Sequence, residues 1–165
     1  MSIVVRGCHI GEGRPKVIVP IVETTESKIL ERAFEFSRFR IDCVEWRVDW
    51  FEQCMDAHSV VSCLQKLRVA LRDKLLLVTF RTKAEGGKVP LTHKEYLDFI
   101  NTVIDTDCAD LIDIEFFTAG DDIRELIDNA HSSGVAVVCS SHDFQKTPDK
   151  NELVSVSYTH LRAHE

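Results

Sequence analysis

Short runs centred on consecutive apolar residues alternate along the chain with longer stretches in which apolar residues recur every three or four positions. The runs are Val17–Ile21, Cys43–Asp49, Leu75–Arg81, Asp110–Phe116 and Val135–Asp143. They are rich in Val, Ile and Leu and too short for core helices, so they predict strands. The stretches between them predict helices. Thr24 or Thr25 can cap the first, which carries Ile29, Leu30, Ala33 and Phe34 on one face. Val60, Val61, Leu64, Leu67 and Leu71 mark the second. The third opens on Thr92-His93-Lys94-Glu95, a capping box whose hydroxyl and carboxylate satisfy two orphan N–H groups, and continues through Leu97, Ile100 and Ile104. The fourth starts near Asp121 and Asp122 and carries Ile123, Leu126, Ile127 and Ala130, with Gly134 placed to stop it. A fifth is predicted from Thr147-Pro148, a cap followed by proline at the first helical position.

Strands joined by helix-length connections form a parallel sheet. An open doubly wound sheet and a (β/α)8 barrel both fit. The chain contains neither G-x-G-x-x-G nor G-x-x-x-x-G-K-[ST], which counts against a nucleotide-binding open sheet. Residues 1–16 precede the first clear unit, and Gly11-Glu12-Gly13 predicts a turn joining a short N-terminal hairpin.

Composition narrows the function classes. With 44% hydrophobic and 28% charged residues, the 165-residue chain can build an ordinary core. A net charge of −7 gives no support for a nucleic-acid partner or a polybasic membrane patch. No apolar run exceeds the five residues Val135–Cys139, so no membrane span or export signal is predicted, and the expected location is cytoplasmic. Six cysteines without C-x-x-C spacing predict reduced, mostly buried thiols.

The strand faces carry the chemistry. Side chains alternate sides along a strand. Glu45, Arg47 and Asp49 therefore share one face and Val44, Trp46 and Val48 the other. Thr79 and Arg81 end a face of the third strand, Asp113 and Glu115 share one on the fourth, and Ser140 and His142 share one on the fifth. If the apolar faces pack on helices, these ionisable groups point into a barrel interior, late in their strands, where barrel enzymes place their chemistry. Burying so many charges is costly unless they pair or bind something. A structural ion-pair network is the bland alternative. Asp113, Glu115 and His142 also make a plausible divalent-ion set, which leaves a metal-dependent barrel lyase or aldolase open.

At these residues the chain resembles the type I 3-dehydroquinate dehydratases, shikimate-pathway enzymes with a (β/α)8 barrel. The matching stretches are Gly11 through Val22, Glu45-Trp46-Arg47-Val48-Asp49, Thr79 through Gly87, Asp113-Ile114-Glu115 and His142 through Pro148. Five motifs in family order, each at a strand end or in the loop after it, make the match specific. The resemblance implies dehydration of 3-dehydroquinate to 3-dehydroshikimate through a Schiff base on a lysine, with no metal or organic cofactor. It implies His142 as the base that removes the proton alpha to the imine, and Glu85 as the carboxylate that orients it. Glu45, Trp46, Arg47 and Arg81 match groups that hold the substrate; Asp49, Asp113 and Glu115 match groups behind them. The family's members often form homodimers.

One element of the pattern is unmatched. The resemblance places the Schiff-base lysine on a sixth strand, beyond His142, and the lysines there are Lys146 in the loop motif and Lys150 at the start of the predicted fifth helix. Neither sits at a strand end. Five βα units account for residues 1–154, and the segment 155–165, opening on Ser155, Val156, Ser157, Tyr158 and Thr159, is a poor helix continuation that reads as foreign to the fold. The expectation is therefore an incomplete barrel, with the catalytic base inside it and the lysine outside, inactive by itself. A fragment that only binds substrate or a partner is the non-enzymatic alternative.

Overall fold

The computed structural model describes residues 2–151 and 154. The segment 155–165, read above as foreign, lies outside the described residues. The elements are β1 (Ile3–Val5), β2 (Cys8–Ile10), β3 (Ile18–Ile21), α1 (Glu26–Phe36), β4 (Cys43–Arg47), α2 (Ala57–Leu71), β5 (Leu75–Thr79), α3 (His93–Ile104), β6 (Leu111–Glu115), the single turn α4 (Phe116–Ala119), α5 (Ile123–Ser132) and β7 (Ala136–Ser140). Strands β3 to β7 form one parallel sheet in sequential order, β3-β4-β5-β6-β7. Sequential order is what a barrel wall requires, whereas an open doubly wound sheet reverses direction at a switch point. The predicted βα alternation is thus present as five strands of a barrel-type wall.

The N-terminal hairpin is also present, but its turn is elsewhere. Chain reversal occurs at Arg6 and Gly7, with φ of 46° and 75°. Positive φ at both central residues suits a two-residue loop of type I′, whose twist matches that of the strands. Gly11–Gly13 instead lead from β2 toward β3.

β3 ends at Ile21 as its apolar run suggested, and β4 to β7 end one to three residues earlier than theirs. Val48–Trp50 is a 3-10 turn, and Arg81 and His142 lie past the ends of β5 and β7. Strand alternation consequently governs Glu45 and Arg47, Thr79, Asp113 and Glu115, and Ser140, while loop geometry places Asp49, Arg81 and His142.

The two sheet faces bury different material. Val44, Trp46, Leu76, Val78, Ile112 and Ile114 pack with the helices in the main core. Cys43, Leu75, Leu77 and Leu111 form a second cluster on the opposite face, closed by Val5, Cys8 and Ile10 of the hairpin with Ala136 and Val138. The hairpin thus plugs the end of the wall where the strands begin, and Arg6 anchors it there with a 2.7 Å hydrogen bond to Asp110. The ionisable residues occupy the same face at the strands' carboxyl ends.

The helices follow their predicted faces with one exception. Ile29 and Ala33 are buried, but Phe34 is 47% exposed, with the Arg38 guanidinium 4.3 Å from its ring centroid. Five residues past Ile29, Phe34 has rotated about 140° out of the buried stripe, and Phe36 packs on the core in its place. After β7, helical backbone begins at Lys150, two residues later than predicted, and the Asp149 carboxylate accepts the Asn151 N–H at 2.8 Å. The α3 capping box is present in full, with Thr92 Oγ1 and Glu95 each bonding the other's backbone N–H. Thr92→Ala is expected to cost about 1 kcal/mol in chemical denaturation, the usual value of such a cap.

Candidate active site

Arg81 lies at the centre of the charged cluster. Its side chain is 9% exposed, and its guanidinium donates to Glu115 at 3.0 Å, to Asp113 at 3.1 Å and to Ser140 Oγ at 3.0 Å. Glu85 lies 3.6 Å from Nη1, the nitrogen that donates to Glu115 and Ser140. One buried cation thus serves three carboxylates. Burial raises the Asp113 carboxyl above its ordinary range despite Arg81. Burial likewise raises Glu85, against the lowering effect of its bonds to His142. Asp113 also accepts the Ser140 hydroxyl at 2.7 Å.

Glu115 is held more firmly than any other acid in the cluster. Its Oε1 accepts the Thr82 N–H at 2.9 Å, and its Oε2 accepts the hydroxyls of Thr82 and Thr118, each at 2.7 Å. Its own N–H donates to the buried Tyr96 phenol oxygen at 2.7 Å. Sequence reading missed Thr82, Thr118 and Tyr96. Thr82 lies within the Thr79–Gly87 stretch and Thr118 in the single turn α4 after Glu115, but neither hydroxyl carries a periodic signal.

His142 and Glu85 form the second group. Glu85 Oε2 accepts both the His142 backbone N–H at 2.9 Å and Nδ1 at 3.0 Å. An ionised carboxylate can only accept, so Nδ1 carries the proton and Nε2 the free lone pair. The His142 side chain is 39% exposed, against 7% for Glu85, so the base faces the opening and its orienting acid lies behind it. The Phe144 ring lies nearly parallel to the imidazole, 6.4 Å away between centroids.

The loop carrying Glu85 depends on a close backbone approach. Gly87 donates its N–H to Thr82 O at 2.8 Å, and a Cβ there would meet Arg81 O at 1.7 Å. Gly87→Ala must therefore displace the backbone between Arg81 and Glu85. Denaturation is expected to show a loss of at least about 2 kcal/mol, in the range of substitutions that force backbone strain.

Arg47 and Asp49 form a third group, a bidentate pair with bonds of 2.8 and 2.9 Å. Asp49 also accepts the Lys88 N–H at 3.2 Å, which ties this turn to the Glu85 loop. Glu45 is half-buried on the same strand face as Arg47. Trp46 is placed apart from the other candidates. It is fully buried on the helix side of β4 and packs against Phe51, because alternation turns residue 46 away from residues 45 and 47.

No lysine side chain donates into these groups; among the described residues their cations are arginines, with His142 as the titratable base. No set of three or more His, Cys, Asp or Glu side chains is arranged to hold a metal ion among the described residues. Asp113 and Glu115 turn their oxygens to Arg81, and His142 faces Glu85, so the alternative metal set is not assembled. No helix among the described residues is long and apolar enough to cross a membrane.

Comparison with known proteins gives one consistent family. The model for type I 3-dehydroquinase matches residues 17–164, and so runs into the segment read above as foreign. The 3-dehydroquinate dehydratase of Bacillus subtilis is 44% identical over 151 residues, covering 92% of this chain and 59% of that protein. That of Listeria monocytogenes is 40% identical over 154 residues, covering 93% and 61%. The crystal structure of the type I 3-dehydroquinate dehydratase from Clostridium difficile with covalently modified comenic acid superposes with a TM-score of 0.89 at 39% identity, covering 94% of this chain and 61% of that one. The Enterococcus faecalis structure gives 0.87 at 37% identity, covering 93% and 64%. The chain spans about three fifths of the length of these relatives.

Proposed function

The chain belongs to the type I 3-dehydroquinase family, and from that premise we propose that it carries the base and the substrate-holding groups of a 3-dehydroquinate dehydratase. The observation that carries the reading is the His142–Glu85 pair, which leaves an imidazole lone pair at the carboxyl end of the parallel sheet beside a buried arginine.

The reaction is loss of water from 3-dehydroquinate. A lysine condenses with the ketone, releasing one water and forming a protonated imine. The imine nitrogen draws electrons from the adjacent carbon, so a proton there becomes removable. His142 Nε2 takes that proton, and the electron pair moves into an enamine. Its collapse expels the β-hydroxyl, which leaves as water with the proton from His142. Hydrolysis then frees 3-dehydroshikimate and the lysine. Imidazole suits both transfers because its ordinary pKa lies near neutrality. Glu85 holds the tautomer that accepts at Nε2 and stabilises the imidazolium. Glu45, Arg47 and Arg81 bind the substrate's hydroxyls, with Asp49 holding Arg47 and with Asp113 and Glu115 holding Arg81. Trp46 packs behind them, and the chemistry requires no metal or organic cofactor.

Among the described residues no lysine amine stands in the cluster, so the reading puts the imine-forming lysine outside the five βα units. The 165-residue chain is therefore expected to give neither enone absorbance with 3-dehydroquinate nor a covalent adduct on borohydride reduction. Turnover, or an adduct on any of its lysines, would overturn this placement. In the whole protein, a second copy as homodimer partner and a cytoplasmic setting complete the reading.

A further inference from the structure

His93 has no part in the chemistry above, yet its ring stands between two acceptors. Nδ1 lies 3.0 Å from the Thr118 carbonyl oxygen, and Nε2 lies 2.7 Å from Asp122 Oδ2. A neutral imidazole has one N–H and could satisfy only one of them. Imidazole is a stronger base than a carboxylate, so the second proton resides on the ring. The geometry is that of an imidazolium donating in both directions.

Thr118 makes this more than a surface contact. Its carbonyl accepts from His93 while its hydroxyl donates to Glu115 Oε2 at 2.7 Å, and Glu115 Oε1 accepts from Arg81 at 3.0 Å and from Thr82 N–H at 2.9 Å. We propose that His93 is a positioning residue whose protonated ring holds the Phe116–Asp122 segment, and through Thr118 sets the Glu115–Arg81 pair that grips the substrate. The substrate half of this statement rests on the function proposed above; the coupling between His93 and Glu115 does not.

The charged surroundings agree. From the segment after β6 the acids are Asp121 and Asp122, from α3 the neighbours are Lys94 and Glu95, and Glu115 ends β6. Lys94 pairs with Asp98 and Glu95 closes the helix cap, which leaves Asp122 as the charge acting directly on the ring. The bonds to Asp122 and Thr118 raise the His93 pKa above its ordinary value. The hold is therefore present below that raised value and lost as pH rises through it.

The test is a pH titration of the 165-residue chain by NMR, between about pH 5.5 and pH 9. Both His93 ring nitrogens should be protonated near neutrality, and the Thr82 amide, which reports on Glu115, should move with the same midpoint. His93→Gln should abolish that movement. His93→Arg, a permanent cation with several donors, should keep the low-pH position of the Thr82 amide at every pH. A 3-dehydroquinate titration should show roughly two- to fivefold weaker binding for His93→Gln than for the unchanged chain at neutral pH, a gap that closes at high pH. A His93 midpoint at the ordinary value, or a Thr82 amide indifferent to it, would overturn the proposal. If the unchanged chain fails to bind 3-dehydroquinate, the functional reading falls, while the amide titration still decides the role of His93.

Discussion

His142→Ala, made in a version of the protein that carries the whole barrel, is expected to lower kcat by roughly a hundred- to ten-thousand-fold, the usual range for removing a general acid–base group. Imine formation should survive, because the condensing amine belongs to another residue. Borohydride should therefore still trap substrate on the variant. That combination separates loss of the proton-transferring group from collapse of the site, which would abolish trapping too. The variant is expected to fold, since the His142 side chain is 39% exposed and packs beside the exposed Phe144. Glu85→Gln should be milder, because an amide oxygen can still accept from Nδ1 but cannot stabilise the imidazolium by charge. A His142→Ala enzyme of undiminished rate would remove His142 from the mechanism.

Arg81→Leu is expected to have the largest effect on stability. It removes the cation that faces Asp113 and Glu115 in a region where all three side chains are 9% exposed or less. Breaking one partner out of a buried ion pair costs about 3–5 kcal/mol, because the remaining charges stay buried without compensation. The loss should depend on pH in a definite direction. Burial already raises Asp113 and Glu85 in the intact protein, so between the unfolded and the folded value the folded chain binds more protons than the unfolded one. Such groups contribute stability fully below the unfolded carboxylate pKa and lose it as pH rises through the raised folded value. Without Arg81 that folded value rises further for Asp113. Chemical denaturation should therefore find the Arg81→Leu deficit largest above the raised folded value and smaller as pH falls through it and the carboxyls take up protons. A deficit independent of pH would mean that packing, not charge, dominates at this position.

How much of this could be read from the residues follows from what has periodicity. β4 shows the gain and its limit. Alternation correctly put Glu45 and Arg47 together and turned Trp46 toward the helices, where it is fully buried. The motif that named Trp46 as a binding residue works by position in the chain and cannot see which way a side chain faces. Asp49 pairs with Arg47 as expected, but through the 3-10 turn at Val48–Trp50, not by strand alternation. The α3 cap was legible because both partners lie within four residues. The Thr82–Glu115 bonds were not, since the two residues lie 33 positions apart and only the fold brings them together. The hairpin turn was misplaced because Gly11 and Gly13 advertise a bend as strongly as the Arg6–Gly7 pair that makes it.

A ligand of 3-dehydroquinate chemistry is expected to settle over Arg81 and His142, at the carboxyl end of the five parallel strands. The most direct test is an NMR titration of the 165-residue chain with 3-dehydroquinate, following the histidine ring and arginine side-chain resonances. The account predicts saturable shifts at His142, Arg81 and Arg47, with His9, on the N-terminal hairpin at the opposite end of the strands, unmoved. Shifts confined to other residues, or none at His142 and Arg81 at saturating ligand, would contradict it.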